Sequence, residues 1–279
     1  MKKHLFLITL VFVTSMAFSQ KKEKVKGSKI VTIEQKKIEN FSSLEVSDNI
    51  EVFLVKGKEC GVEIEADDNL HDAIEIVITG STLRLSTLKN AFGYKKLSIR
   101  VTYTDEFKMI TTKNESTASG LAEMELDDIT IKSFDYSKVF LNAKTKNFIL
   151  VADDKSKSQL NLNSEKTTIS LSKNAESKAL INSNELTFDM YQKATATVEG
   201  NCKDLKLRLD NNSRFAGKNL DVLNSEITCE AYTNLAVSVR GTAVIDASGK
   251  SEIQLYGDQK IEMKRFVDSA VLMKKTSKL

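Results

Sequence analysis

The sequence has no proline and no tryptophan among its 279 residues, and its only histidines are His4 and His71. Because histidine is the usual general base, proton shuttle and metal ligand near neutral pH, its scarcity limits acid–base and metal chemistry. The missing proline excludes proline-rich linkers and collagen-like repeats. Hydrophobic residues make up 41% of the chain and charged residues 28%, a balance that argues against a disordered protein.

The first nineteen residues have the pattern of a secretory signal peptide. A basic start precedes the nine-residue apolar run 5–13, and the small residues Ala17 and Ser19 mark a cleavage site after Ser19. This run is far shorter than the ~20 apolar residues of a membrane-spanning helix. We therefore expect a mature chain without a transmembrane segment, exported to the periplasm, the outer-membrane surface or the extracellular space.

Removal of residues 1–19 takes away Lys2 and Lys3 and leaves 41 − 2 = 39 basic against 38 acidic residues. A net charge of +1 gives no electrostatic basis for nucleic-acid binding, which requires concentrated positive charge. Residues 20–40 are predicted to form a mobile basic leader followed by a first strand.

Apolar side chains recur with a period of about 19 residues in the second half of the chain, which is typical of a solenoid. Successive repeats start 19, 19, 19, 19, 19, 20, 18 and 18 residues apart. Eight residues after each start stands a small residue. The starts are Ile110, Ile129, Phe148, Thr167, Leu186, Leu205, Ser225, Ala243 and Ile261, and the small residues are Ala118, Ser137, Ser156, Ala175, Ala194, Ser213, Thr233, Ser251 and Ser269.

Within each repeat the apolar residues alternate, which places them on one face of a strand. A second alternating pair follows ten and twelve residues after the start, for example Val139 with Leu141 and Val271 with Met273. Two short strands per repeat, joined at a corner by the small residue, would bury their apolar rows if repeats stacked about 4.8 Å apart. We therefore predict an all-β, right-handed parallel β-helix over residues 106–275, followed by a tail at 276–279. An antiparallel sandwich or barrel is the alternative, but it does not require a constant offset.

Residues 41–105 contain further alternating strands without the regular period. The end of a solenoid leaves an open sheet edge that would template aggregation unless it were covered. This β-rich region is predicted to be either a separate cap or a set of irregular first coils.

Three N-terminal segments resemble the putative auto-transporter adhesin head GIN domain family. They are FSSLEVSDNIEVFLVKG at 41–57, VEIEADDNL at 62–70 and GSTLRL at 80–85, and the resemblance extends over about residues 30–275. It implies a bacterial surface or periplasmic protein of the Gram-negative envelope, with a role in adhesion and no established catalytic activity. The Gly-Ser-Gly-Asp turns of the family are degenerate here, as at 118–120 and 212–214. The family name implies a passenger attached to a membrane barrel, and we expect no such translocator in this chain.

Three cysteines, Cys60, Cys202 and Cys229, permit at most one disulfide in an exported chain. Cys229 shares an apolar column with Leu209, which favours a buried thiol. A bridge from Cys202 to Cys60 or to Cys229 remains open. The cysteine spacing is not that of a zinc site.

The acidic stretch 67–72 is the densest group of oxygen ligands, but it lacks the ligand spacing of a calcium loop. We predict that Asp68 or Asn69 caps a short helix running toward Ile74. No metal and no cofactor are expected.

Asp135 and Asp154 lie one repeat apart, as do their neighbours Phe134 and Asp153. Two stacked carboxylates on a β-helix wall suggest an acid–base pair for polysaccharide cleavage. The column continues with non-acidic residues, which favours a solvated face.

Aromatic side chains mark two outward columns, with Tyr136 and Tyr232 in one and Phe134 and Tyr191 in the next. Aromatic rings among polar residues suit contact with a glycan or a protein. We therefore expect a non-enzymatic envelope protein, adhesin-like or scaffolding, that binds a glycan or a surface protein through this wall. A polysaccharide-processing enzyme that uses Asp135 and Asp154 is the alternative.

Overall fold

The computed structural model describes residues 22–276, so the predicted signal peptide at 1–19 lies outside the described residues. In this part of the chain, no helix is long and apolar enough to span a membrane. Stacked parallel coils of about 19 residues form a β-solenoid of about 9 turns. The predicted all-β parallel solenoid is thus confirmed, and the antiparallel sandwich is excluded by the parallel pairing of its strands.

The N-terminal part is built from nine strands and one short helix. These are β1 (Lys24–Lys26), β2 (Val31–Lys37), β3 (Ser43–Val46), β4 (Glu51–Lys56), β5 (Gly61–Asp67), a 3-10 helix (Asp68–Ala73), β6 (Ile74–Thr79), β7 (Thr82–Thr87), β8 (Asn90–Phe92) and β9 (Leu97–Tyr103).

The solenoid body contains the remaining thirteen strands, six of which run through most of a coil. They are β10 (Met109–Thr112), β11 (Thr117–Gly120), β12 (Met124–Glu125), β13 (Asp128–Ser133), β14 (Lys138–Ala152), β15 (Lys157–Leu171), β16 (Glu176–Met190), β17 (Thr195–Leu209), β18 (Arg214–Cys229), β19 (Asn234–Ala247), β20 (Glu252–Tyr256), β21 (Lys260–Phe266) and β22 (Val271–Lys275).

Each long strand contains two inward-facing stretches, as the two predicted strands per repeat require. In β14 the inward positions run through Val139 and Leu141 and, beyond a corner, through Phe148 and Leu150, all buried. The corner is the exposed pair 146–147, where the ladder with β15 skips only Lys146 and resumes at Asn147. The chain therefore turns with its hydrogen bonds nearly uninterrupted, and the structure has one strand where the sequence predicts two.

The first repeat has a different length from the one predicted. Ile110 pairs with Ile131 rather than with Ile129, because the loop and short strand β12 lengthen this coil. Thr117 pairs with Lys138, so Ser116, and not Ala118, is the small buried residue before the second stretch.

The last coil is also displaced from its predicted register. A bulge in β21 shifts the pairing with β19 by one residue after Met263. Glu252 consequently pairs with Val271, which puts Ala270 rather than Ser269 in the small-residue column. Leu272, not Val271, is the partner of Ile253.

The N-terminal region both adds coils and covers the sheet edges. Strand β3 pairs in parallel with β10 on one side and with β7 on the other. Strand β4 likewise pairs in parallel with β11 and with β9. Antiparallel strands then follow at this end, with β6 on β7 and with β5 and β2 beyond β9. Because these outer strands run antiparallel, they end the parallel stack.

The basic segment at the start of the described chain is anchored rather than free. Strand β1 pairs in parallel with β8, and Lys22 Nζ lies 2.5 Å from Asp48 Oδ2. The side chain of Asn69 bonds the carbonyl of Lys26 and the N–H of Ser28, at 2.8 Å and 3.0 Å. Residues 22–28 thus contact the N-terminal strands and the short helix.

Candidate functional site

One corner of the solenoid is a stack of four-residue turns, which we call the turn ridge. In the turn 134–137, Asp135 and Tyr136 have φ values of 52° and 62°, and the N–H of Ser137 donates to the carbonyl of Phe134 at 3.0 Å. Two central residues with positive φ define a type I′ turn. The same geometry recurs at residue pairs 48–49, 114–115, 154–155, 173–174, 192–193 and 211–212.

Hydrogen bonds continue through the turn ridge from one coil to the next. The N–H of Tyr136 donates to the carbonyl of Asp154 at 3.0 Å, and the N–H of Lys155 donates to that of Lys173 at 3.1 Å. Successive side chains at one turn position therefore stand about 4.8 Å apart along the ridge.

The predicted aromatic residues lie on this ridge but are not brought together. Tyr136 and Tyr232 occupy the same turn position with 53% and 57% of their surfaces exposed. Five coils separate them, a distance of about 24 Å. Phe134 and Tyr191 occupy the first position of their turns and are half-buried. The ridge therefore offers spaced aromatic contacts and not a single pocket.

The ring of each exposed tyrosine contacts a lysine side chain from the next coil. Lys155 Nζ lies 4.8 Å from the centre of the Tyr136 ring and 2.7 Å from its hydroxyl oxygen. Lys250 Nζ lies 5.2 Å from the centre of the Tyr232 ring. Such cation–π contacts hold the rings in place at the surface.

Asp135 and Asp154 stand at the same turn position of adjacent coils. Left-handed backbone favours aspartate and asparagine at such positions, which provides a conformational reason for both residues. Lys173 Nζ lies 3.0 Å from Asp153 Oδ2 and 3.4 Å from Asp154 Oδ2. The hydrogen bond to Asp153, with the charges of both carboxylates, raises the pKa of Lys173. Asp153 and Asp154 thus share an ion pair with Lys173, whereas Asp135 has no ion pair among the described residues.

Tyr191 contacts a second charged cluster. The guanidinium of Arg208 lies 5.6 Å from the centre of the Tyr191 ring and donates to Glu230 at 3.1 Å. This hydrogen bond raises the pKa of Arg208 above its ordinary value. Glu230 also pairs with Arg265, so the cluster crosses coils.

All three cysteines are free and buried. Cys229 pairs with Leu209 in the ladder and is fully buried, as the sequence predicts. Burial raises the pKa of both Cys202 and Cys229 to about 12. Neither disulfide left open by the sequence is present.

The acidic stretch 67–72 forms the predicted short helix, but the predicted cap is wrong. Asp67 occupies the N-cap position, and no side chain caps the helix. Its carboxylate instead accepts backbone N–H bonds from Lys29, Lys95 and Lys96 at 2.8 to 3.2 Å. The stretch thus ties three segments together. Across residues 22–276, no group of three or more His, Cys, Asp or Glu side chains could hold a metal ion.

A second outward surface was missed by the sequence reasoning. On strands β14–β17 three adjacent columns form a grid, which we call the amide face. Six of its twelve residues carry amides, and two shallow grooves cover it. The columns are Phe140–Gln159–Lys178–Thr197, Asn142–Asn161–Leu180–Glu199 and Lys144–Asn163–Asn182–Asn201. The signal was readable as asparagine at a constant spacing of 19 residues.

Solved structures with the same architecture include two described as putative adhesins. The chain from Parabacteroides distasonis has a TM-score of 0.69 and 14% identity, with 91% of this chain and 100% of that chain covered. The chain from Parabacteroides merdae has a TM-score of 0.64 and 14% identity, with 91% and 99% covered. A structure from Parabacteroides distasonis described as a putative lipid binding protein has a TM-score of 0.60 and 15% identity, with 91% and 100% covered. The TM-scores show a shared fold, and at identities of 14–15% they show the fold alone.

A comparison with curated proteins returns no match. The family described as "Putative auto-transporter adhesin, head GIN domain" matches residues 40–258. That span contains the coils of the N-terminal region, the whole turn ridge and the whole amide face. The resemblance seen in segments 41–57, 62–70 and 80–85 is therefore confirmed, and the chain belongs to the family of putative auto-transporter adhesins with a head GIN domain.

Proposed function

We propose that this protein is a non-enzymatic, exported protein of the bacterial envelope that binds a surface partner through the wall of its solenoid. The role is adhesin-like or scaffolding. Export is supported by the signal-peptide pattern of residues 1–19, and adhesion is supported by the family to which the chain belongs.

The observation that carries the proposal is the continuous turn ridge. Its turns repeat in register, and Tyr136 and Tyr232 expose more than half of their surfaces at two points along it. A rigid backbone that presents aromatic and polar side chains at a fixed spacing suits an extended partner, because little ordering entropy is lost on binding.

The proposal is tested with protein 20–279 and fluorescent or immobilised envelope fractions of Gram-negative bacteria. We expect saturable binding that weakens about tenfold or more when Tyr136→Ala and Tyr232→Ala are combined, because each ring supplies apolar contact area. Phe92→Ala is the matched control, since Phe92 is 49% exposed but lies on β8 and not in a turn of the ridge. The absence of saturable binding would overturn the proposal.

The stacked carboxylates support a second candidate, cleavage of a polysaccharide. Asp135 and Asp154 lie one coil apart, about 4.8 Å between their backbones, and retaining glycosidases use two carboxyl groups about 5–5.5 Å apart. Under this alternative, Asp135→Asn and Asp154→Asn each abolish release of reducing sugar from a panel of glycans. If the parent protein releases none, the enzymatic candidate is lost.

A further inference from the structure

We propose that the amide face binds a neutral polysaccharide whose sugar rings lie across successive coils. The inference rests on the proposed binding role and adds to it a second surface and the chemistry of the partner.

The first argument is the hydrogen-bonding capacity of the surface. Each amide side chain offers two N–H donors and a carbonyl acceptor, which matches sugar hydroxyls because these also both donate and accept. Asn142, Gln159, Asn161 and Asn163 project outward with exposed side chains on two adjacent strands. Asn201 Nδ2 donates to Asn182 Oδ1 at 2.6 Å, and this hydrogen bond orients both amides. The polar contacts are thus arranged as a grid and not as a single point.

The second argument is the apolar side chains among the amides. Leu180 is the ladder partner of Asn161 in the next coil and is 44% exposed. Phe140 lies above Gln159 and is half-buried. A pyranose ring has an apolar C–H face bordered by hydroxyl groups, so it can cover Leu180 or Phe140 while its hydroxyls reach the neighbouring amides.

The third argument is charge. The grid contains Lys144, Lys178 and Glu199, so its formal net charge is +1 over twelve residues. An anionic glycan or a nucleic acid would require a concentration of cations that this grid does not present. The neutral amides and exposed apolar groups therefore favour an uncharged partner.

The geometry of the grid fits a repeating chain. Successive coils stand about 4.8 Å apart, and alternate residues along one strand stand about 6.6 Å apart. Gly200 lets β17, the last strand of the grid, lie close to β16. Its φ of +110° and its contact with the Ile181 backbone leave no room for a side chain. Four coils thus present a shallow grooved surface about 14 Å long.

The test measures binding of protein 20–279 to glucan, mannan and galactan as neutral polymers, and to polygalacturonate as an anionic polymer. We expect saturable binding to at least one neutral polymer and no stronger binding to polygalacturonate. Combining Asn161→Ala with Asn163→Ala should weaken the neutral interaction about tenfold or more, because several hydrogen bonds are lost together. Leu180→Asp should abolish it, whereas Leu180→Met should retain it.

The matched control combines Asn147→Ala with Asn224→Ala, which removes two amides from one column at the corner formed by residues 146–147 of β14 and their equivalents, outside the amide face. These bond Asp128 at 2.7 Å and Asp204 at 3.0 Å. Equal effects of the two double variants would overturn the inference, as would the absence of binding to any neutral polymer. If envelope fractions bind while no neutral polymer does, the proposed function stands and only this inference fails. If neither binds, both fail.

Discussion

Ser137 and Ser156 occupy the same position in consecutive coils and are both fully buried, but only one of them has hydrogen-bond partners. The Ser137 hydroxyl lies 2.9 Å from the hydroxyls of Thr112 and Ser133. The Ser156 hydroxyl has no partner in the described structure. A buried polar group without a partner costs about 1–3 kcal/mol, so two chemically identical residues should contribute to stability with opposite signs.

We expect Ser156→Ala to raise the free energy of unfolding by about 1 kcal/mol, because it removes an unpaired hydroxyl. The next coils already place Ala175 and Ala194 at this position, which shows that a methyl group fits. Ser137→Ala should lower the free energy of unfolding by about 1 kcal/mol, since it breaks a bonded cluster. Urea unfolding of both variants measures the difference, and a change of equal sign and size in both would contradict the prediction.

Leu207 tests the coil register. Its side chain is 1% exposed, and it pairs with Phe188 in one neighbouring coil and Ile227 in the other. Leu207→Ala should cost about 2–5 kcal/mol through lost burial and a cavity, and Leu207→Asp should prevent folding. Lys206, the outward neighbour on the same strand, provides the control, because Lys206→Ala should change stability by less than about 0.5 kcal/mol. Urea unfolding followed by circular dichroism measures the stability of the three variants.

Lys193 tests the backbone of the turn ridge, since its φ is 67°. A β-branched residue is strained in this region, so Lys193→Val should lower the free energy of unfolding by about 1–2 kcal/mol. Lys193→Asn should be neutral or stabilising, because asparagine tolerates the left-handed region and already stands at the equivalent residues 174 and 212. Lys138→Val, at an exposed strand position, should cost nothing. If both valine variants lose the same stability, the strain argument is wrong.

The period of the sequence predicts the solenoid because stacking makes each inward column uniform. Leu171, Met190, Leu209 and Cys229 all prove to be buried partners in one column. The register fails only where a coil has a different length, at the loop before Asp128 and at the bulge in β21. Loop residues and bulges do not contribute to the inward columns, so apolar periodicity contains no information about them.

The candidate surfaces were predictable to different degrees. The columns of the turn ridge follow from the period alone, but the left-handed turns that favour Asp135 and Asp154 do not. The role of Asp67 was also hidden, because its three N–H donors come from segments about 30 to 40 residues away in sequence. Contacts of that range depend on the closed fold and not on local pattern.

Asp67 should make the N-terminal region sensitive to pH. Burial opposes ionisation of this carboxyl group, but the N–H bonds from Lys29, Lys96 and Lys95 outweigh that effect and lower its pKa. A lowered pKa in the folded state means that the ionised group stabilises the fold above the unfolded pKa of about 3.9, and that this contribution is lost as the pH falls further. Asp67→Asn should therefore have a lower free energy of unfolding than the parent at pH 7. The difference between the two free energies should narrow toward pH 3. Asp72→Asn, at an exposed position of the same helix, should show no such gap.

The free cysteines predict a distinctive reactivity. Burial raises the pKa of Cys202 and Cys229 to about 12, so at pH 8 both are protonated, and the thiolate is the reactive form. Cys60 is also buried. Protein 20–279 should therefore react slowly with Ellman's reagent when folded and release three equivalents of chromophore in 8 M urea. Cys60→Ser should release two equivalents under the same conditions.

A disulfide between any two of these residues would leave only one reactive thiol in urea, which would contradict the structure. Cys202 and Cys229 occupy different inward columns, Cys202 between Ser183 and Val222 and Cys229 below Leu209. Disulfide geometry requires Cα atoms within about 7 Å and converging Cβ atoms. Each thiol is enclosed by its own column, so the coil must open before the thiol can be oxidised. The rate of thiol loss under an oxidant should therefore follow the rate of unfolding in urea.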